Sequence, residues 1–187
     1  MNFLMIKWYL LILGDKMIIW LDGTYGIGKT TVAEQLKKVL QNKNIKFLNS
    51  DYLYTEIIKR DSLSGGGAVP QNNINFLRVI RNEIQEELVS TDGILIIDMA
   101  LTQKESKELL FDYLKNEGIA IKHFILTASI NTIKKRIENS ENRDKVLAYS
   151  YLEQNIHFLN SNYDDAIRID TEDKNSNEIA KEIIKYL

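Results

Sequence analysis

From residue 17 onward, short apolar runs alternate with longer amphipathic ones. Residues 17–21 read as a strand apolar on both sides, and a glycine-rich turn leads from it into a helix over 29–43. A short strand over 46–49 and a helix over 52–59 follow. The stretch 62–69 is loose, contains Gly65, Gly66 and Gly67, and is closed by the single proline, Pro70. Residues 73–90 carry Ile74, Leu77, Ile80, Ile84 and Leu88 at spacings of three and four, the pattern of one buried helix face. A continuous apolar strand occupies 93–98, and a helix 104–116. The remainder gives a strand over 122–127, helices over 131–139 and 145–160, a strand over 166–169 and a closing helix from Asn177. Strands alternating with helices predict an α/β fold with a parallel sheet covered on both faces. Ile94-Leu95-Ile96-Ile97, apolar at every position, fits a strand buried on both sides.

Composition narrows the function more than the fold. At 187 residues the chain is one domain long, with 44% hydrophobic and 27% charged residues. The formal net charge is −2, and no basic run stands out. A nucleic-acid surface is therefore not indicated. The absence of cysteine excludes disulfides, thiolate metal sites and a cysteine nucleophile, and is compatible with a cytoplasmic location. His123 and His157 are too few for a zinc centre and read as packing or surface residues. Residues 1–16 stand apart from residues 17–187, which read as one domain. Their apolar stretch is too short for a stable membrane span, and no small-residue cleavage site follows it. A purine-rich coding sequence for Gly14-Asp15-Lys16 would resemble a ribosome-binding site, so translation is expected to begin at Met17.

The chemistry is concentrated after the first strand. Gly23-Thr24-Tyr25-Gly26-Ile27-Gly28-Lys29-Thr30 matches G-x-x-x-x-G-K-[ST] between a predicted strand and a predicted helix, with Thr31 next in the helix. The glycines let backbone N–H groups turn inward around a phosphate, and the helix adds its positive N-terminal end. Lys29 is placed to reach the β- and γ-phosphates of ATP, and the Thr30 hydroxyl to ligate Mg2+. The alternative is a glycine-rich turn with no ligand.

Other residues bear on which nucleotide reaction follows. Met99, not an acid, succeeds Asp98 at the end of its strand, unlike the paired acids common in water-activating ATPases. No Asn-Lys-x-Asp sequence of guanine-specific switches occurs. A small-molecule kinase remains. Asp51, after the second strand, is placed to orient an acceptor hydroxyl and take its proton, or to cap the following helix, or both. Asp98 is a second metal or acceptor ligand, or a strand-end turn residue. Arg136, on the helix after the fourth strand, and Arg143, in the polar break over 138–144, together read as a mobile lid that brings positive charge to the transferred phosphate. For Arg143 a solvated surface position is an equal reading. Arg78 and Arg81 face either the acceptor or solvent.

These residues carry a family resemblance. Residues 17–30 (MIIWLDGTYGIGKT), 93–102 (GILIIDMALT) and 123–136 (HFILTASINTIKKR) resemble blocks of the tunicamycin resistance proteins. The likeness runs from residue 17 to the C-terminus. It implies a three-layer P-loop fold like that of nucleoside-monophosphate and shikimate kinases, with a five-stranded parallel sheet in the order 2-3-1-4-5. It implies that Arg136 touches the nucleotide or the transferred phosphate, and that Asp170 and Thr171 lie near the adenine. Asp98 departs from the family pattern, which leaves room for a different acceptor. The expected activity is transfer of the ATP γ-phosphate to a small hydroxylated acceptor, such as a nucleoside antibiotic. A nucleoside-monophosphate kinase and a drug-sequestering binder without catalysis stand as alternatives.

Overall fold

A computed structural model describes residues 16–40, 44–61, 70–91, 93–141 and 144–187. Five strands form one sheet: β1 (Met17–Asp22), β2 (Ile45–Asn49), β3 (Ile94–Asp98), β4 (Ile121–Thr127) and β5 (Ile167–Asp170). Every pairing is parallel, and the order is β2-β3-β1-β4-β5, as expected. The helices are α1 (Lys29–Val39), α2 (Ser50–Asp61), α3 (Ile74–Ser90), α4, α5 (Ile130–Glu138), α6 (Lys145–Asn162) and α7 (Ser176–Ile184). The α4 segment opens as Lys104–Ser106, widens to a π-helix over Lys107–Asp112 and closes as Tyr113–Asn116.

The strand period of two explains why β1 is apolar throughout. Ile19 and Leu21 point to one face of the sheet, where α1 and α7 bring Val32, Leu36, Ile179 and Ile183. Ile18 and Trp20 point to the other, against Phe76, Leu77, Ile80 and Ile84 of α3 and Leu110 and Phe111 of α4. All four β1 side chains are fully buried. The central strand is thus gripped from both sides, and its carboxyl end is held in one place.

Several helix boundaries differ from the sequence reading, and at three the cause is visible. α1 ends at Val39, with Leu40 as its cap, rather than at 43. α2 begins at Ser50, because Asn49 Oδ1 accepts a hydrogen bond from the Tyr52 amide at 2.8 Å. Asn49, not Asp51, therefore takes the capping role. In α3 the cap is Asn73, whose side chain accepts from the Phe76 amide at 3.1 Å. That start leaves Ile74 45% exposed, and Phe76 enters the core instead. In α4 the adjacent Leu110 and Phe111 are both buried within the π-helical stretch. No described helix is long and apolar enough to cross a membrane. Residues 1–15, the stretch 62–69 and Arg143 lie outside the described residues.

Candidate active site

The chain leaves β1 at its carboxyl end and turns through the glycine loop into α1. Gly26 adopts φ 77°, and a Cβ there would stand 2.7 Å from Ile137 Cγ1. Gly28 occupies the N-cap of α1 with φ 102°, a left-handed conformation that side-chain-bearing residues rarely adopt. These glycines allow the loop to curl tightly against α5. Lys29 Nζ spans the loop, donating to the carbonyls of Gly23 at 2.8 Å and Thr24 at 3.1 Å. Ile27 is buried in the core. The Thr24 side chain is also buried, against the end of β4. Of the motif, Tyr25, Gly26, Gly28, Lys29 and Thr30, with Thr31 beyond it, line a cleft of about 110 Å³. Gly23, Thr24 and Ile27 hold the loop's shape from behind.

Asp98 joins the loop to the opposite wall of that cleft. Its Oδ2 accepts from the Thr30 hydroxyl at 2.7 Å and from Asn49 Nδ2 at 2.9 Å, and its Oδ1 from the Ser50 amide at 3.1 Å. The Ser50 hydroxyl donates to the Asp98 carbonyl at 2.8 Å. Only 3% of Asp98 is exposed. Burial pushes its carboxyl up to about 6. The Thr30 hydrogen bond, the Lys29 charge and the Ser50 amide pull the other way, and the Asp51 charge adds to the rise. Among the described residues no three His, Cys, Asp or Glu side chains cluster as a metal cage. One hydroxyl and one carboxylate side by side fit a small hard cation that keeps most of its ligands as water and phosphate oxygen.

The opposite wall is formed by Ser50 and Asp51 from α2, Pro70 and Gln71 from a 3-10 turn (Pro70–Asn72), and Met99 and Ala100 after β3. Asp51 is exposed and opens on the cleft. The loop after β3 is tied down at several points. Asp22 Oδ1 accepts from the amides of Gly23 at 2.7 Å and Leu101 at 3.1 Å. Trp20 Nε1 donates to the Met99 carbonyl at 2.9 Å, and the Tyr163 hydroxyl to the Leu101 carbonyl at 2.9 Å. Gln71 Oε1 accepts from the Thr102 amide at 2.8 Å, while its Nε2 donates to the Thr102 hydroxyl at 2.7 Å. The other Asp22 oxygen lies 3.3 Å from His123 Nε2, within an aromatic group of Phe111, His123 and Tyr163. Sequence reading passed over Asp22, Gln71 and Tyr163, and took His123 as packing. An acid at the end of an otherwise apolar strand was the available signal for Asp22.

On the other flank, Arg136 braces the glycine loop against the β5–α7 connection. Its guanidinium donates to the Thr171 hydroxyl at 2.9 Å, the Thr171 carbonyl at 2.8 Å and the Ile27 carbonyl at 3.4 Å. Thr171 is buried, and its hydroxyl donates to the Thr127 carbonyl at 2.9 Å. Asp170 is exposed and accepts from the Glu172 amide at 3.0 Å. Arg136 thus reaches across 35 residues of sequence to Thr171 and across 109 to the loop carbonyl of Ile27. Arg81 does not turn to the cleft; its guanidinium lies 4.1 Å from the centre of the Tyr113 ring. Arg78 is exposed on α3 and does not line the cleft. His157 is exposed.

A five-stranded parallel sheet of this order, with a glycine-lysine loop after its central strand, defines the P-loop kinase-like fold. A model of the AAA domain family matches residues 18–154, and the chain belongs to that family. A probable adenylyl-sulfate kinase of Aeropyrum pernix is 24% identical over 123 residues, which make up 64% of this chain. The match spans 63% of that relative's own length. The solved tunicamycin resistance protein of Deinococcus radiodurans superposes with a TM-score of 0.72 at 20% identity, over 91% of this chain and 95% of that one. The Mycobacterium tuberculosis APS kinase in complex with AMPPNP and APS gives 0.62 at 16%, over 91% and 96%. At these identities the solved structures share the fold.

Proposed function

We propose that the protein is an ATP-dependent small-molecule kinase, moving the γ-phosphate of ATP to a hydroxyl of a small acceptor. The observation that carries this reading is the shared cleft. The Thr30 hydroxyl and the Asp98 carboxylate stand 2.7 Å apart at its base, with Asp51 on the wall facing the glycine loop. The phosphate loop and Lys29 hold the β- and γ-phosphates. Thr30 and Asp98 would hold Mg2+, which would neutralise charge on those phosphates. The acceptor oxygen attacks the γ-phosphorus while the bond from that phosphorus to the β,γ-bridging oxygen breaks. ADP keeps the bridging oxygen and its electrons. Asp51 accepts the acceptor's proton. Arg136 braces the glycine loop through the Ile27 carbonyl and adds its charge to the phosphate side of the cleft, and Arg143 is proposed to bring positive charge toward the transferred group. Arg136 also fixes the loop around Asp170 and Thr171, against which the adenine is proposed to lie.

The likeness to the tunicamycin resistance protein supports a nucleoside-type antibiotic as the acceptor, and resistance to it as the biological role. A cytoplasmic location, with its ATP supply, goes with this reading. The test is single-turnover reaction of the protein with γ-labelled Mg·ATP and pooled hydroxylated compounds, followed by mass detection. ADP and one phosphorylated product in equal amounts are expected. Tight binding of a compound with no product would turn the reading toward sequestration. Rapid turnover of a nucleoside monophosphate would turn it toward a nucleotide kinase.

A further inference from the structure

Among the described residues, the side-chain donors on the wall that faces the phosphate loop are engaged within the protein. The Ser50 amide, the Ser50 hydroxyl, Asn49 Nδ2 and the Thr30 hydroxyl all donate to Asp98. Gln71 donates to Thr102 and accepts from it. Pro70 and Ala100, both part-exposed, supply apolar surface, and the buried Met99 backs them. Among the described residues, the charges on this wall are the carboxylates of Asp51 and Asp98. Among the described residues, Lys29 is the cation that lines the cleft, and it belongs to the phosphate loop. Of the arginines whose side chains are described, Arg81 turns to Tyr113 and Arg136 to Thr171. Residues 62–69, which join α2 to the 3-10 turn, carry no ionisable side chain in the sequence.

Recognition of a phosphate, sulfate or carboxylate calls for donors and positive charge, and a like charge beside it is repelled. A hydroxyl or an ammonium group instead donates to carboxylates. We infer that the acceptor is a hydroxylated molecule without anionic groups, bound through its own donors to Asp51 and through its apolar surface to Ala100 and Pro70. This rests on the kinase reading above and deepens it. Asp98, turned toward Thr30, serves the metal, so Asp51 is the group that sets the charge preference of the acceptor. Tyr25, half-buried at the loop edge of the cleft, adds aromatic surface that favours sugar or base rings over small acids.

The test uses charge-paired acceptors with the full chain and γ-labelled Mg·ATP: glucitol with gluconate, uridine with UMP, and a small-molecule cell extract beside them. Labelled products should derive from parents without phosphate, sulfate or carboxylate. Within a pair the uncharged member should react at least roughly tenfold faster, as a nearby like charge would dictate. A labelled product from an anionic parent, or equal rates within a pair, overturns the inference and leaves the kinase reading standing. No labelled product from any compound, with ATP binding intact, removes the kinase reading instead. Calorimetry of the same pairs on protein loaded with a non-hydrolysable ATP analogue then decides the charge preference. Tighter binding of the uncharged member supports the inference, and tighter or equal binding of the anionic member overturns it. In Asp51→Asn the gap should narrow; a gap of full size overturns the assignment to Asp51.

Discussion

The two walls of the cleft are built in opposite ways. The phosphate wall is eight consecutive residues, Gly23 to Thr30, shaped by glycine backbone and stiffened by the strand and helix on either side. The facing wall is gathered from α2, the 3-10 turn and the loop after β3, and buried side chains hold it in place. The first can be carried between proteins as a short motif, because local backbone geometry suffices to bind phosphate. The second depends on the whole core, so it can change its ligand while the fold stays the same. Asp22 is where the two meet, since one of its oxygens accepts from Gly23 of the first wall and Leu101 of the second.

The sharpest way to break the comparison is at Asp51. Asp51→Asn keeps the shape and removes the base, so single-turnover transfer should fall by about 10²–10⁴-fold. ATP affinity should stay near normal, because the phosphate wall is untouched, and so should the melting temperature, because Asn49 caps α2. Full transfer in this variant would move the base to another group. Next in size, Lys29→Ala should lower turnover on the order of a hundredfold, about 3 kcal/mol of transition-state stabilisation. Its ATP affinity should fall with it while the melting curve is preserved. Normal turnover would detach the loop from the reaction.

Asp22 tests whether the walls are joined. Asp22→Ala leaves the Gly23 and Leu101 amides without their acceptor, which should cost roughly 2–4 kcal/mol of stability in denaturant unfolding. Asp22→Asn keeps an oxygen at Oδ1 and lets the amide face His123, so it should recover most of that loss. An unstable Asn variant beside a stable Ala one would refute the bridging role. Asp98 links the walls through pH. Its carboxyl, raised to about 6 by burial, holds a proton in the folded protein at pH values where the unfolded chain has lost it. Its contribution therefore favours folding at low pH and is lost as pH rises from about 4 through about 6. Metal binding runs the other way, because a protonated carboxyl is a poor ligand. Below pH about 6 the Mg2+ affinity of the ATP-bound protein should drop about tenfold per unit, read by metal titration. A flat profile to pH 5 would take Asp98 out of the metal site. The smallest effect is expected at Asn49: Asn49→Ala removes both the Tyr52 cap bond and a donor to Asp98, and should cost roughly 1–2 kcal/mol in denaturant unfolding.

Sequence periodicity was enough for the sheet, because a strand buried on both faces must be apolar at every position and an amphipathic helix must repeat every three to four residues. It placed all five strands within two residues of their observed ends. The phosphate wall was legible for a related reason: glycines at 23, 26 and 28 and the Lys29-Thr30 pair act through contacts a few residues apart, so their order along the chain carries their geometry. Helix starts were less legible, since Asn49 and Asp51 are both good capping residues and the backbone path out of β2 chose between them. The chain by itself determined a parallel α/β fold with a phosphate-binding loop. Only the tertiary structure decided that Arg136 meets Thr171, that Arg81 turns to Tyr113, and that Asp22 ties Gly23 to Leu101. Those contacts join residues 32 to 79 positions apart, and no local spacing encodes a partner that only the packing of the core brings into reach.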